Sequence, residues 1–265
     1  GSTEGVVGNR DRLIASGDLY VNLDAAASGL SRGVSASPSL TTLFRGAADR
    51  VPQPGEEEGR SALEAWRRGA PVPRIGFLGG GSDHVSFLAL CALPSASVGA
   101  RGAAGTAYHS LYDDLAWYRR VVGDDYASAA LVTRIVAVAV DRASTAPVLP
   151  LDWAEPARAL ARTTQSLGEL HPETLSGRAV LALVARAEAQ AERADALEQR
   201  YAAIARSGAL PAEARRTVEA AQRSAERAWL HEPGLPERPW YRNLYAAPDE
   251  TSGYAAWPLP GLQKA

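Results

Sequence analysis

The first 146 residues alternate between short apolar runs and stretches with helical spacing, separated by glycine-rich loops. Short apolar runs are typical of buried strands, and they lie at residues 19–23, 74–78 and 95–98. Apolar residues that recur every three or four positions predict helices, and they do so at residues 39–48, 61–68, 84–93 and 125–142. Strands that alternate with helices predict an α/β sandwich with a mainly parallel sheet.

After Pro150 the pattern changes to helical spacing alone, in segments rich in Ala, Arg, Glu and Leu. Helices are predicted at residues 152–167, 173–206 and 211–230, with an apolar stripe formed by Leu181, Val184, Leu197, Tyr201 and Ile204. This pattern favours a helical bundle. From His231 the chain is rich in Pro, Trp and Tyr and has no helical period. We expect this tail to be loop-like and ordered only by packing on other elements.

Two residues are candidates for helix starts. Ser39 is of the type that caps a helix N-terminus, and Pro211 suits the first turn of its helix. The boundary near residues 146–150 predicts two parts, residues 1–148 and 149–265.

Composition and charge exclude several classes of protein. The net charge is −2 and the isoelectric point about 6.2. The charge therefore gives no sign of a basic surface, and nucleic acid is not expected as a partner. A single cysteine, Cys91, excludes an internal disulfide framework. No apolar run is long enough for a membrane span, and no signal peptide is recognised. The chain has no methionine, so we expect it to be part of a longer protein.

The candidate chemistry, taken residue by residue, stays open. His109 follows a Gly/Ala-rich loop and suits a metal ligand, a base or a surface residue. Asp24 ends a predicted strand, where ligand-bearing carboxylates often lie, but it equally suits a turn. Tyr108 is either a hydrogen-bond donor to a substrate or a packing residue. Asp83 suits an N-cap for the following helix.

Familiar catalytic motifs are missing from the sequence. The triple glycine at residues 79–81 lacks the lysine and the spacing of a phosphate-binding loop. HExxH, GxSxG and CxxC do not occur. The residues alone therefore predict an α/β part followed by a helical part, with a candidate metal site.

Five short motifs occur in order along nearly the whole chain: "GSTE", "YVNLDAAASG", "FLGGGSDHVSFL", "YHSLYDD" and "GLPERPWYRNLYAAPDETSGYA". In these motifs the chain resembles the downstream half of the zinc-dependent peptidases related to glutamate carboxypeptidase II and the transferrin receptor. The resemblance implies that residues 1–148 form the later part of a three-layer α/β peptidase domain. It also implies that residues 149–265 form an all-α dimerisation domain, so that a homodimer is expected.

The resemblance assigns roles to individual residues. Asp24 matches a ligand of one zinc ion, and His109 matches a ligand of the other. Tyr108 matches a tyrosine that faces the active site and helps to hold substrate. The cleft-lining loop corresponds to Gly80, Gly81 and Ser82, and Tyr254 matches a tyrosine that the helical domain places over the substrate pocket.

Other parts of the family's site are not in the chain. A co-catalytic zinc pair needs a bridging carboxylate, with one terminal carboxylate and one histidine on each side, so that each tetrahedral ion keeps a position for the attacking hydroxide. The resemblance places a histidine, the bridging aspartate and a Glu-Glu pair, which includes the general base, upstream of Gly1. We therefore expect no catalytic residue in this chain, and neither tight zinc binding nor peptidase activity from the chain alone.

Smaller departures concern calcium and specificity. Glu4 matches a glutamate that helps to bind a structural calcium, but Val7 stands where a second acidic ligand belongs, so no calcium is expected. Gly253 stands where the glutamate-specific enzyme has a lysine that grips the substrate's terminal carboxylate, so strong preference for C-terminal glutamate is not expected. Ser82 replaces an asparagine. The last helix of the dimerisation domain would follow Ala265.

Three functional interpretations remain open at this point. The parent protein is a zinc exopeptidase acting on peptides, or it is a transferrin-receptor-like binding protein without zinc chemistry. Alternatively, the chain is a fragment without independent function. The resemblance also implies a membrane-anchored parent whose catalytic part is extracellular or luminal.

Overall fold

The computed structural model describes residues 1–56, 58–67, 75–102, 107–206 and 211–264. Its composition is mixed α/β, with helices over about 52% of these described residues and small sheets. The helices before residue 150 are α1 Ser2–Gly8, α2 Arg10–Ser16, α3 Thr41–Ala48, α4 Ala62–Trp66, α5 His84–Cys91, α6 Leu115–Val121 and α7 Ala127–Thr145. The later helices are α8 Glu155–Leu170, α9 Gly177–Arg206, α10 Ala212–Arg227 and α11 Pro260–Gln263. The strands are β1 Tyr20–Asn22, β2 Ser31–Ala36, β3 Ser95–Arg101, β4 Ala246–Pro248 and β5 Ala256–Pro258.

The central sheet has the order β1-β3-β2. β3 pairs in parallel with β1 over three residues and antiparallel with β2 over six. The sheet described is therefore mixed, and the prediction of a mainly parallel sheet is wrong for these strands. The reason is β2, "SRGVSA", which has one large aliphatic residue, Val34, and so gives no apolar run.

One face of this sheet carries the main core. Ala96, Val98 and Ala100 alternate along β3 and are buried together with Leu43 and Phe44 of α3 and Leu131 and Ile135 of α7. Alternation of this kind is what one buried face of a strand produces. The three-layer arrangement of the whole domain and its boundary at residue 148 stay predictions.

The strand predicted at residues 74–78 is not formed within the described residues 75–78. Gly76 alone bridges to Ser35, at the edge of β2. After this bridge the chain leaves the sheet. Leu78 is buried with Leu88 and Tyr245, and the centre of the Phe77 ring lies 6.0 Å from that of Tyr245. The apolar run reflects packing against the C-terminal tail and not a strand. Arg74 lies outside the described residues.

The other predicted elements of this part are confirmed with shifted ends. Ser39 does not cap α3, because it lies inside a 3-10 turn at Pro38–Leu40 and Leu40 holds the N-cap position. Ser61 does cap α4, where its hydroxyl accepts from the Glu64 amide and the Glu64 carboxylate accepts from the Ser61 amide.

The C-terminal part contains the three predicted helices α8, α9 and α10, but it is not all-α. β4 and β5 pair antiparallel within the tail predicted to be loop-like. The tail packs on α5, since Asn243 is buried and donates to the Leu88 carbonyl at 3.1 Å, and the Arg242 amide donates to the Ala89 carbonyl at 3.1 Å. This packing brings the tail next to the loop that precedes α5.

Polar side chains on one face of α10 join this helix to the first part of the chain and to Leu149, the first residue of the second part. Gln222 donates to the Leu149 carbonyl at 3.0 Å, and Arg223 pairs with Asp18 at 2.9 Å. The Arg227 guanidinium donates to the carbonyls of Leu13, Ile14, Gly17 and Ala92 at 2.9 to 3.3 Å. These carbonyls follow the ends of α2 and α5 or belong to the last turn of α2, where main-chain acceptors commonly lack partners within a helix, although the Leu13 carbonyl also accepts from the Gly17 amide. Within the part of the chain that the structure describes, no helix has the length and apolar character needed to cross a membrane.

Candidate functional site

Asp24 lies in an exposed turn two residues after β1 ends at Asn22. Its negative charge contributes to the raised pKa of Tyr108 and partly offsets the lowering of the His84 pKa by burial. Position at the carboxyl end of a strand, in contact range of other loops, is where α/β proteins gather functional groups. The structure therefore places Asp24 within electrostatic range of Tyr108, another residue that the sequence singled out.

His109 lies in a turn with a left-handed backbone, at φ +57°. Its exposed imidazole stacks on the ring of Tyr108, with ring centroids 3.7 Å apart and planes 20° apart. A non-glycine residue in this conformation carries strain and is often found at functional sites. The stacking restricts the orientation of the imidazole, and the residue as a whole stays exposed.

Tyr108 connects His109 to the C-terminal tail. A side-chain hydrogen bond joins the hydroxyls of Tyr108 and Tyr254. This hydrogen bond is the main reason that the pKa of Tyr108 lies above the ordinary phenol value, with smaller contributions from desolvation and the charge of Asp24. Both phenols are about half exposed, so they stand at the surface of the site and can meet a ligand.

The glycine loop, Gly79–Gly81, packs directly on the tail. The Gly80 amide donates to the Tyr254 carbonyl at 2.9 Å. A Cβ added at Gly80 would lie 1.9 Å from the Gly253 carbonyl oxygen, and one added at Gly81 would lie 2.4 Å from Cε1 of Tyr254. Only glycine allows this approach, and Gly81 also has φ +81°.

Ser82 ties the glycine loop to β1. Its hydroxyl accepts a hydrogen bond from the buried Asn22 amide at 2.9 Å. Asp83 stands at the N-cap position of α5 but makes no capping hydrogen bond, and its carboxylate accepts from Ser2 at 2.7 Å. The candidate site residues are thus drawn together from β1, the glycine loop, the 108–109 turn and the tail.

His84 is a residue of this region that sequence reasoning missed. It is 4% exposed, and its Nε2 lies 3.0 Å from the Gly79 carbonyl. Burial lowers its pKa, although the Gly79 contact and the charges of Asp24 and Asp83 act in the opposite direction. The neutral ring therefore steadies the start of the glycine loop. A histidine that opens an otherwise apolar helix after three glycines is the signal that could have revealed it.

The donor types of the site suit zinc, but the donors of this chain do not complete a shell. Zinc takes carboxylate oxygen and imidazole nitrogen, usually four ligands in all. Over residues 1–56, 58–67, 75–102, 107–206 and 211–264, no group of three or more His, Cys, Asp or Glu side chains is arranged to hold a metal. Asp24 and His109 offer one ligand each.

Comparisons with known proteins match this chain over its length. Residues 176–265 match the family model described as the transferrin receptor-like dimerisation domain. A probable glutamate carboxypeptidase, LAMP1, of Arabidopsis thaliana is 29% identical over 100% of this chain and 38% of its own length. A probable glutamate carboxypeptidase of Arthroderma benhamiae is 24% identical over 99% of the chain and 36% of its own length. The aminopeptidase NAALADL1 of Rattus norvegicus is 25% identical over 100% of the chain and 37% of its own length.

These relatives define the class as peptidase-related proteins with a mixed α/β fold. More particularly, residues 176–265 match the transferrin receptor-like dimerisation domain and the whole chain is similar to glutamate carboxypeptidases, as its five motifs predicted. It spans between 36% and 38% of the length of these three relatives.

Proposed function

We propose that the chain is part of a co-catalytic zinc exopeptidase that hydrolyses peptides. One observation carries the proposal: Tyr108 stacks on His109, bonds to Tyr254 and lies in the field of Asp24. A carboxylate, an imidazole and two exposed phenols are thereby gathered at one place. A bound zinc pair would supply a water made nucleophilic at neutral pH.

The residues of this chain would ligate and position. Asp24 would hold one zinc ion and His109 the other. Tyr108 and Tyr254 would donate hydrogen bonds to the substrate, and the backbone of Gly80, Gly81 and Ser82 would form the wall of the cleft. The general base and the remaining ligands would come from residues that precede Gly1 in the whole protein. Because each ion receives a single ligand from this chain, the chain alone would be inactive.

The His109 assignment is tested in the whole protein. We expect His109→Ala to lower the zinc content from about two ions per chain to about one or fewer, because a tetrahedral site loses one of its few protein ligands, and to abolish peptide cleavage. His171→Ala is the matched control, since His171 is also an exposed loop histidine. Zinc content and cleavage that stay unchanged in His109→Ala would show that this residue is not a ligand.

The alternative is a receptor-like binding protein that keeps the fold and the dimer without zinc chemistry. The same assay separates the two functions. A whole protein that binds no zinc and cleaves no peptide, with or without His109, supports the receptor-like function. A Glu-Glu pair upstream of Gly1 supports the enzyme.

Specificity is tested at Gly253, at the exposed tip of the tail. An added Cβ there meets no described atom within 4 Å, although φ is +69°. We expect Gly253→Lys to raise the preference for peptides with a free terminal carboxylate over the matching C-terminal amides by about tenfold, because an ammonium group pairs with that carboxylate. Gly253→Gln is the matched control, since it has the same backbone strain without the charge. Equal preference in the two variants contradicts the expectation.

Assembly and location are further parts of the proposal. The match to a dimerisation domain supports a homodimer through the helical part. The exposed Leu181 and Leu197 of α9 would lie in its interface. We also propose that the whole protein is membrane-anchored, with this part extracellular or luminal, and that it binds no nucleic acid.

A further inference from the structure

The tail presents its site residues on a hairpin. β4 and β5 pair antiparallel, with Pro248 opposite Ala256. Residues 249–255 join the two strands, and we call them the hairpin loop. Its tip carries Gly253, at φ +69°, and Tyr254. A connection of seven residues has many conformations available, so something must select the one observed.

Asp249 closes this loop on itself. Its carboxylate accepts hydrogen bonds from the Ser252 amide at 2.7 Å, the Ser252 hydroxyl at 2.7 Å and the Ala255 amide at 3.0 Å. Its own amide donates to the Ala255 carbonyl at 2.9 Å. These bonds lower the pKa of Asp249 to about 2, so the carboxylate is charged and accepts strongly at neutral pH. One side chain thus ties together both ends of the loop.

The closed loop is in turn connected to the site. The Ser252 hydroxyl accepts from the Tyr254 amide at 3.1 Å. The Tyr254 carbonyl accepts from the Gly80 amide at 2.9 Å, and the Tyr254 hydroxyl is bonded to Tyr108. Asp249 itself touches neither the glycine loop nor Tyr108 in any of these bonds. Its influence on the site passes through Tyr254.

We propose that Asp249 is a positioning residue: by closing the hairpin loop, it holds Tyr254 in place against the glycine loop and Tyr108. The consequence for substrate binding rests on the proposed function. Loop ordering is then complete before a peptide arrives, and pre-organisation of this kind strengthens binding.

The structural half of the proposal is tested by amide hydrogen exchange on the whole protein. We expect Asp249→Ala to speed exchange at Ser252 and Ala255, and also to speed exchange of the Gly80 amide about tenfold, because its acceptor on Tyr254 is no longer held. Asp125→Ala is the matched control, since Asp125 accepts one backbone hydrogen bond from Ala127 before α7. It should leave Gly80 unchanged. If Asp249→Ala unfolds the chain, Asp249→Asn keeps the size of the side chain and should show the same acceleration at Gly80.

Normal exchange at Gly80 in a folded Asp249 variant overturns the proposal, because Asp249 would then order only its own loop. The functional half is tested in the whole protein. We expect Asp249→Ala to raise KM about tenfold with kcat nearly unchanged, as for lost uniform binding. In a Tyr254→Phe background the same change should add little, because both act through one phenol.

Additive effects of the two changes on KM overturn the functional half. The two proposals fail in different ways. A whole protein that cleaves no peptide contradicts the proposed function, whereas the exchange rate at Gly80 still decides whether Asp249 positions Tyr254.

Discussion

Glu226→Gln is expected to raise the free energy of unfolding by about 3 kcal/mol at pH 8 and to change it little near pH 4.5. Part of the Glu226 residue is exposed, but its carboxyl group is surrounded by protein atoms where α10 packs on the first part of the chain. Desolvation raises its pKa from 4.5 to about 7, against the opposing effects of Ser39 and Arg227. One unit of pKa difference corresponds to about 1.4 kcal/mol.

The sign follows from proton linkage. The folded state holds its proton up to about pH 7, whereas the unfolded state releases its proton near 4.5, the ordinary pKa of glutamate. The contribution of this carboxyl group to the free energy of unfolding is therefore fully present below pH 4.5, and it is lost as the pH rises through about 7. Glutamine is uncharged like the protonated acid, so the variant does not lose this stability as the pH rises.

Urea unfolding at pH 4.5 and pH 8 measures the effect, with Glu192→Gln as a control on an exposed position of α9. Equal stabilisation by Glu226→Gln at both pH values would show that burial of the charge is not its cause.

Gly80→Ala is expected to lower the free energy of unfolding by about 2–3 kcal/mol, as overpacking against fixed neighbours does. The new Cβ would lie 1.9 Å from the Gly253 carbonyl oxygen and 2.7 Å from Cβ of Pro248. Since the first of these atoms is backbone, the hairpin loop must move away and take Tyr254 with it. In the whole protein, displacement of about 1 Å at a site costs about a hundredfold in activity.

Gly33→Ala is the matched control, because a Cβ on this residue of β2 meets no described atom within 4 Å. Thermal or urea unfolding measures stability, and peptide cleavage by the whole protein measures the site. If the two alanine variants behave alike, the glycine loop does not pack closely on the tail.

The sequence predicts the helices better than the sheet. Long segments with sustained apolar spacing, such as α7 and α9, are formed close to where the pattern places them. β2 was missed because its six residues include one large aliphatic side chain, and residues 75–78 were misassigned because their apolar side chains pack on the tail. In both cases the structure depends on partners more than 50 positions away in the sequence, and a local pattern carries no information about such partners.

The residues of the candidate site were likewise predicted in part and missed in part. Asp24, His109, Tyr108 and Tyr254 were singled out through motifs that carry family information, and the structure draws them together. Their functional roles stay predictions. Asp249 was missed because its role arises from hydrogen bonds to residues three and six positions later. An aspartate in a loop predicts a turn but does not reveal what the turn presents.

The arginine of α10 that binds the carbonyls after α2 and α5 also constrains the order in which the chain can fold. Arg227 meets Leu13 across 214 positions, and Arg223 meets Asp18 across 205. During synthesis, the carbonyls near the start of the chain cannot form these hydrogen bonds until residue 227 has left the ribosome. Contacts of such sequence separation slow folding, so release of the C-terminal part should set the moment at which the N-terminal helices lock into place.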